Sequence, residues 1–253
     1  MSQRAGKSRV AFFGGSFDPP HLGHLAVARA AREALGLDLV LFAPVGAQPL
    51  KPDGATASYE DRLAMTQLAI TSENGFGISL ADAPMNAGVP NYTAETLERL
   101  KEDLGPDCAL YCLMGADSFV GLRLWHRAAE IPFIAPLIVA SRPGEDLGDL
   151  KAYLPAGLGL EAIAGAPDLP ASDAEVDCFL LLAESGRLAG QRVPFYLLPG
   201  VDVPISASRI RALVGTGELA STDVIAGKEG RAAGDNMLPE AVAEYVRTHR
   251  LYQ

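Results

Sequence analysis

The chain has 253 residues, 49% of them hydrophobic, with 21 basic against 31 acidic residues and a formal net charge of −10. That length fits one large domain or two small ones and supplies ample material for a core. A uniformly acidic surface repels phosphate backbones, which disfavours a general nucleic-acid binder, and the same charge stands as an objection to any polyphosphate ligand. The 26 glycines and 18 prolines stay below the share at which disorder becomes the default. Uncharged stretches such as Leu39–Leu50 fall well short of the roughly 20 residues of a membrane span. The N-terminus MSQRAGKSRV carries basic residues with no apolar segment of a secretory signal behind them. Cys108, Cys112 and Cys178, an odd and low count, point to reduced core thiols in the cytoplasm.

In chain order, the apolar run Arg9–Gly14 predicts a buried parallel strand. His24–Leu35 has helical periodicity, with Leu25, Ala28, Ala31 and Leu35 on one face. Leu39–Pro44 predicts the next strand, and Tyr59–Ile70 a helix with Leu63, Thr66, Leu68 and Ile70 inside or flanking. Thr93–Leu104 is an amphipathic helix; Cys108–Met114, Ile134–Ala140 and Phe195–Leu198 are further strands. Ser206–Val214 and Pro239–His249 close the chain as helices, the second with proline in its first turn. Alternating strands and helices imply an α/β fold with a doubly wound, mostly parallel sheet and helices on both faces. Ligands in such sheets bind at the carboxyl ends of strands, here the segments after Phe13, Phe42, Met114 and Leu198. The stretch Gly144–Gly186 holds nine acidic residues and one base, Lys151. It reads as a solvated, loop-rich insertion or lid within a single domain of residues 1–253, whose core is 9–142 and 195–252 and whose insertion is 144–194.

The strongest chemical signal is Gly14-Gly15-Ser16-Phe17-Asp18-Pro19-Pro20-His21-Leu22-Gly23-His24, between the first strand and the first helix. Paired glycines let a backbone approach a ligand closely, and exposed amides at a helix start attract an anion. The dipole alone contributes only about 0.3–1 kcal/mol, so useful phosphate binding needs added donors. His21 and His24, three apart, can project from one face of the first turn and each can donate to a phosphate oxygen. The segment is neither a Walker A loop nor a G-x-G-x-x-G fingerprint. Zinc ligation lacks a third ligand of suitable spacing. An isolated H-x-x-H would more often be a pair of helix-start residues satisfied by local bonds; the glycine turn and the strand–helix setting favour the phosphate role.

With these residues the chain resembles the H-x-G-H nucleotidyltransferase superfamily of adenylyl- and cytidylyltransferases, whose signature is this pair after a G-G-[ST]-F-D-P turn. Ile205-Ser206-Ala207-Ser208-Arg209-Ile210-Arg211 is similar to the superfamily's second motif, I-S-S-T-x-I-R; taken alone, Ser206 or Ser208 would cap any helix. Tyr92-Thr93-Ala94-Glu95-Thr96-Leu97, Gly115-Ala116-Asp117-Ser118 with Leu124-Trp125-His126, Arg62–Met65 and the ending Leu238–Tyr252 resemble elements of the bacterial nicotinate-nucleotide adenylyltransferases. The resemblance runs from Val10 to Tyr252 and is weakest over Gly144–Pro194. It departs at Leu50, where the family often has histidine before Lys51, and at Ala207, where a serine is usual.

The resemblance implies a Rossmann-like fold and transfer of an adenylyl group from ATP, with its Mg²⁺, to nicotinate mononucleotide. It assigns His21, His24, Lys51 and Arg211 to catalysis and leaving-phosphate binding. It assigns Gly14, Gly15, Ser16, Phe17, His21, His24, Gly115, Asp117, Ile205, Ser206, Ser208 and Arg211 to ATP. Ser16, Lys51, Thr93, Trp125 and His126 fall to the nicotinate nucleotide. An indole can stack on a pyridine ring, although Trp125 can also be a core residue. Asp117 can bond ribose hydroxyls or cap the next helix, and Lys51 can reach a phosphate or sit on a solvated surface. Competing activities are adenylyl transfer to nicotinamide mononucleotide or phosphopantetheine, a non-catalytic nucleotide sensor on the same fold, and a scaffold using the acidic segment. No nucleic-acid or membrane partner is expected; a homo-oligomer is compatible with the pattern.

Overall fold

The structure, a computed structural model, describes residues 7–50, 54–85, 89–141, 150–163, 169, 175–201, 205–216 and 237–253. Among these, eight strands form one sheet in the order β3-β2-β1-β4-β5-β8-β7-β6. The strands are β1 (Ser8–Gly15), β2 (Leu39–Pro44), β3 (Phe76–Ile78), β4 (Cys108–Gly115), β5 (Leu137–Ala140), β6 (Leu158–Ala162), β7 (Asp177–Ala183) and β8 (Arg192–Leu198). The helices are α1 (Leu22–Leu35), α2 (Tyr59–Ile70), α3 (Thr93–Leu104), α4 (Ala116–Gly121), α5 (Ile131–Ile134), α6 (Leu150–Tyr153), α7 (Ala207–Gly215) and α8 (Glu240–Thr248), with a 3₁₀ turn at Leu122–Leu124.

The residue contacts divide the chain into two compact units. The first comprises Met1–Gly14, Ala28–Leu41 and Tyr92–Asp202, and the second Gly15–Val27, Phe42–Asn91 and Val203–Gln253. In the first unit β1, β4, β5 and β8 pair in parallel, in registers such as Phe13↔Leu113, Leu113↔Ile138 and Val139↔Leu197. Val10–Phe13 and Leu137–Ala140 are continuously buried, as strands covered on both faces must be. Its core includes Leu35, Leu97, Leu113, Phe119, Leu122, Ile131, Leu137 and Phe195; that of the second unit includes Phe17, Phe42, Met65, Ile210 and Val242.

Three sequence expectations change. Ile134–Ala140 is not one strand: α5 occupies Ile131–Ile134, with Pro132 in its first turn, and β5 begins only at Leu137. Ala135, the residue before Pro136, is extended at φ −144°, ψ 117°, because the proline ring clashes with a helical predecessor. In α2 the buried face is Arg62, Met65, Thr66, Ala69 and Ile70, while Leu68 is exposed. And the acidic stretch is not loop alone: β6 and β7 pair antiparallel and continue antiparallel onto β8. Of its acidic residues, Glu145, Asp146, Asp149, Asp168 and Asp173 lie outside the described residues.

Candidate active site

β1 runs out through Gly14 and Gly15 into the turn that opens α1. A Cβ on Gly14 would lie 2.7 Å from the Phe12 ring, and one on Gly15 3.2 Å from the Phe17 ring. The glycines therefore make room for the chain's own aromatics. Phe17 is buried at φ +47°, in the left-handed region that a bulky residue rarely enters. Its ring meets Phe42 at 5.6 Å and the edge of His24 at 4.9 Å. The Ser16 hydroxyl donates to Gln48 Oε1 at 2.9 Å.

His21 is buried just ahead of α1, and His24 lies in its first turn, half-buried. Their rings stack with centroids 3.7 Å apart. The backbone N–H of His21 donates to His24 Nδ1 at 3.1 Å. That bond sets the tautomer: neutral His24 carries its proton on Nε2. Gly23 keeps the space beside them open: a Cβ there would stand 3.0 Å from His21 Cε1 and Nδ1. The same position is 3.8 Å from the Ile205 side chain, so the second motif begins beside the first.

Two buried charged residues organise this turn, and neither is legible from periodicity. Asp18, 4% exposed, accepts from the backbone N–H of Thr56 at 2.7 Å and of Ala57 at 3.1 Å, and from the Tyr252 hydroxyl at 2.8 Å. Its carbonyl accepts from Arg211 Nη1 at 2.7 Å, which also lies 3.8 Å from Asp18 Oδ2. Arg62, 2% exposed, donates to the carbonyls of Ser16 at 2.7 Å, Val45 at 2.8 Å and Ala57 at 3.4 Å. Burial lowers the Arg62 pKa from its ordinary value. Burial, then the Asp18 carboxylate, raise that of Tyr252. The signals available in sequence were an arginine on the apolar face of α2 and an aspartate inside the glycine turn.

α7 starts at Ala207 with Ser206 as its N-cap, whose Oγ accepts from the Arg209 N–H at 3.3 Å. Ser206 is thus a cap, and its own hydroxyl proton stays available to donate. Ser208 Oγ accepts from Arg211 Nη2 at 3.4 Å. The second unit thereby gathers Ser16, Phe17, His21, His24, Ile205, Ser206, Ser208 and Arg211. Lys51 lies outside the described residues, and Leu50 is exposed.

In the first unit, Thr93 is the first residue of α3, behind Tyr92. The Tyr92 ring packs on His126 at 4.5 Å. Trp125 is half-buried at the end of the 3₁₀ turn, not in the core. His126 is exposed, its Nε2 3.3 Å from Glu95 Oε1. The next residue, Arg127, meets Glu95, Glu98 and Glu130. These bonds raise the arginine's pKa and hold the carboxyls of Glu98 and Glu130 below the ordinary glutamate value. Gly115, not Asp117, is the N-cap of α4; Asp117 stands exposed in its first turn. Among the described residues no three His, Cys, Asp or Glu side chains gather to hold a metal ion, and no helix is long and apolar enough to cross a membrane. Cys108 is half-buried and Cys112 and Cys178 are buried, all three as free thiols.

The family model described as cytidylyltransferase-like matches residues 12–213. A probable nicotinate-nucleotide adenylyltransferase of Gloeobacter violaceus is 35% identical over 244 residues, covering 96% of each chain. One of Laribacter hongkongensis is 34% identical over 96% of this chain and 94% of its own. Among solved structures, Plasmodium falciparum nicotinic acid mononucleotide adenylyltransferase complexed with NaAD superposes with a TM-score of 0.60 at 16% identity, covering 97% of both chains; that likeness concerns the fold. With the glycine turn, the histidine pair and the Ser206–Arg211 helix start in place, the chain belongs to the cytidylyltransferase-like nucleotidyltransferases and, within them, to the nicotinate-nucleotide adenylyltransferase family.

Proposed function

We infer that the chain joins ATP and nicotinate mononucleotide into nicotinate adenine dinucleotide, a step of NAD biosynthesis in the cytoplasm, acting as one nucleotidyltransferase domain. An oxygen of the 5′-phosphate attacks the α-phosphorus of ATP, the bond from that phosphorus to the bridging oxygen breaks, and pyrophosphate leaves. A phosphate nucleophile is already ionised at neutral pH, so no strong base is needed; positioning and charge stabilisation supply the rate. The observation that supports the reading is the oriented His24 imidazole: its Nδ1 accepts from the His21 amide at 3.1 Å, which puts the neutral ring's proton on Nε2, the donor assigned here to an α-phosphate oxygen. His21 stacks beneath it and supports the same charge.

Arg211, pinned to the Asp18 carbonyl, keeps guanidinium donors for the leaving β- and γ-phosphates, helped by the hydroxyls of Ser206 and Ser208 and by Lys51. The backbone of Gly14, Gly15, Ser16 and Phe17 lines the nucleotide, with Gly115 and Asp117 at the ribose and Ile205 behind the second motif. Thr93, Trp125 and His126 hold the nicotinate ring and carboxylate. The divalent ion, Mg²⁺, travels on the phosphates of ATP. The test is pyrophosphate release from ATP with nicotinate mononucleotide, nicotinamide mononucleotide and phosphopantetheine in parallel. Nicotinate mononucleotide is expected to give the highest kcat/KM; no release with any of the three would leave the sensor reading standing.

A further inference from the structure

Arg127 directly follows Trp125 and His126, and its backbone sits at φ +53°, a left-handed conformation that an arginine adopts only when held there. Its guanidinium is held by a fork. Nη1 donates to Glu98 Oε2 at 2.9 Å and Nη2 to Glu98 Oε1 at 2.6 Å, while Nη2 also reaches Glu130 Oε2 at 2.8 Å and Nη1 reaches Glu95 Oε1 at 3.4 Å. Glu95 and Glu98 stand one turn apart on α3, just behind Thr93. His126 lies 3.3 Å from the same Glu95 oxygen and packs on Tyr92, the residue that precedes the helix. Arg187 closes on Glu130 at 3.0 Å. A lone exposed ion pair contributes little, but a bidentate arginine within a charge network is the arrangement that fixes geometry.

We propose that Arg127 is a positioning residue for the pyridine nucleotide, clamping the Trp125–His126 segment to the first turns of α3. The inference rests on the assignment of Thr93, Trp125 and His126 to that nucleotide. Arg127 sets the spacing between Thr93, the indole and His126, and it neutralises carboxylates that would otherwise face an anionic nicotinate. Removing it leaves Glu95 and Glu98 uncompensated beside a substrate carboxylate, so nicotinate mononucleotide suffers more than ATP and more than nicotinamide mononucleotide.

The test compares full-length wild type, Arg127→Ala, Arg127→Lys and Glu98→Gln. It reads KM for each substrate and the fluorescence of Trp125, the chain's single tryptophan, during titration with nicotinate mononucleotide. Arg127→Ala is expected to raise KM for nicotinate mononucleotide and its fluorescence Kd by about 10-fold or more, with KM for ATP changing by no more than about twofold. Arg127→Lys recovers only part of the loss, since an ammonium cannot make the fork, and Glu98→Gln, which breaks the fork while also removing one repelling carboxylate, raises the same constant less than Arg127→Ala. Equal rises in both KM values, an unchanged KM for nicotinate mononucleotide, or full rescue by lysine would each overturn the clamp. A wild-type Trp125 signal that ignores nicotinate mononucleotide overturns the site assignment beneath it, a failure separable from a responsive wild type with an indifferent Arg127→Ala.

Discussion

Asp18 ties the glycine turn to distant parts of the second unit, and Asp18→Asn isolates that tie with almost no change of shape. The carboxylate accepts three hydrogen bonds: Oδ2 takes the Thr56 N–H, and Oδ1 takes the Ala57 N–H and the Tyr252 hydroxyl. An asparagine keeps one acceptor oxygen. Placed at Oδ1, it retains Ala57 and Tyr252 as neutral bonds, but its NH₂ then confronts the Thr56 N–H, donor against donor. A hydrogen bond to a charged group contributes about 1.5–3 kcal/mol, and an orphaned buried donor costs about 1–3 kcal/mol. Part of this is one interaction counted from two sides, so the expected net loss is about 3 kcal/mol, a large share of a typical 5–15 kcal/mol stability. At an m-value of about 1–3 kcal/mol/M, the urea midpoint falls by about 1–3 M.

Tyr252→Phe removes one of the three bonds and is expected to cost about 1–2 kcal/mol. Because both changes act on the same carboxylate, and Asp18→Asn already weakens the Tyr252 bond from a charged to a neutral one, the double variant should cost less than the sum by about 1 kcal/mol. Urea unfolding followed by far-ultraviolet circular dichroism measures all three. An Asp18→Asn loss below about 1 kcal/mol, or strict additivity with Tyr252→Phe, would refute the assignment of Asp18 as the organising acceptor.

His24→Ala should lower turnover by about 100-fold or more while the melting curve stays unchanged; a folded variant with wild-type turnover would remove the histidine from the mechanism. Arg62→Met strips three carbonyls of their donor in a buried site and should destabilise by about 3 kcal/mol or more, read as a fall in Tm. Gly23→Ala places a methyl 3.0 Å from the His21 ring; kcat should drop by about 10-fold from displacement of the stacked imidazoles, with stability nearly intact. The Tyr252 phenol has its pKa raised above 10.0 by burial and by Asp18. Its contribution is therefore complete below pH 10 and is lost as pH climbs toward the folded value. The urea midpoint should decline above about pH 10, less steeply in Tyr252→Phe, with Tyr59 and Tyr245 shifted in the same direction supplying the remainder.

Elements with a local cause were legible in the chain. β2, α2 and α3 coincide with Leu39–Pro44, Tyr59–Ile70 and Thr93–Leu104, where apolar spacing and bounding turns agree. The strands inside the acidic stretch were not, because composition averaged over many residues hides the apolar run Cys178–Ala183, in which Cys178, Leu181 and Ala183 are buried. In α2, periodicity favoured Leu68, yet the buried place belongs to Arg62, since three backbone carbonyls await its donors. The histidine pair could be read because its geometry is set within one turn of chain. Asp18 and Tyr252 stand 234 residues apart in sequence, and no window or motif spacing encodes such a partner. Arg127 escaped for a different reason: an arginine among glutamates reads as ordinary solvated surface until its fork and its φ of +53° are seen.

The charge that weighed against a polyphosphate ligand is unevenly placed. The stretch Gly144–Gly186, with nine acids and one base, contributes −8 of the total −10, leaving −2 for the rest of the chain. In the sheet, β7 stands four places from β1, with β4, β5 and β8 between them. At an ordinary strand spacing of about 4.8 Å that is about 19 Å, more than twice the Debye length of about 8 Å at physiological salt. Described acids on β6 and β7 include Glu161 and Asp177, and Glu161 is paired with Arg192 at 3.5 Å. For the described acids of β6 and β7, a field screened over that distance and partly neutralised at its source has little hold on the strand that delivers the glycine turn. On the proposed assignment, what acts on a phosphate there is set locally, by helix N-terminal amides, the His24 imidazole and a guanidinium already oriented by Asp18. Net charge therefore describes how this protein meets solvent and other macromolecules, while the choice of a nucleotide ligand is made within one or two turns of the chain.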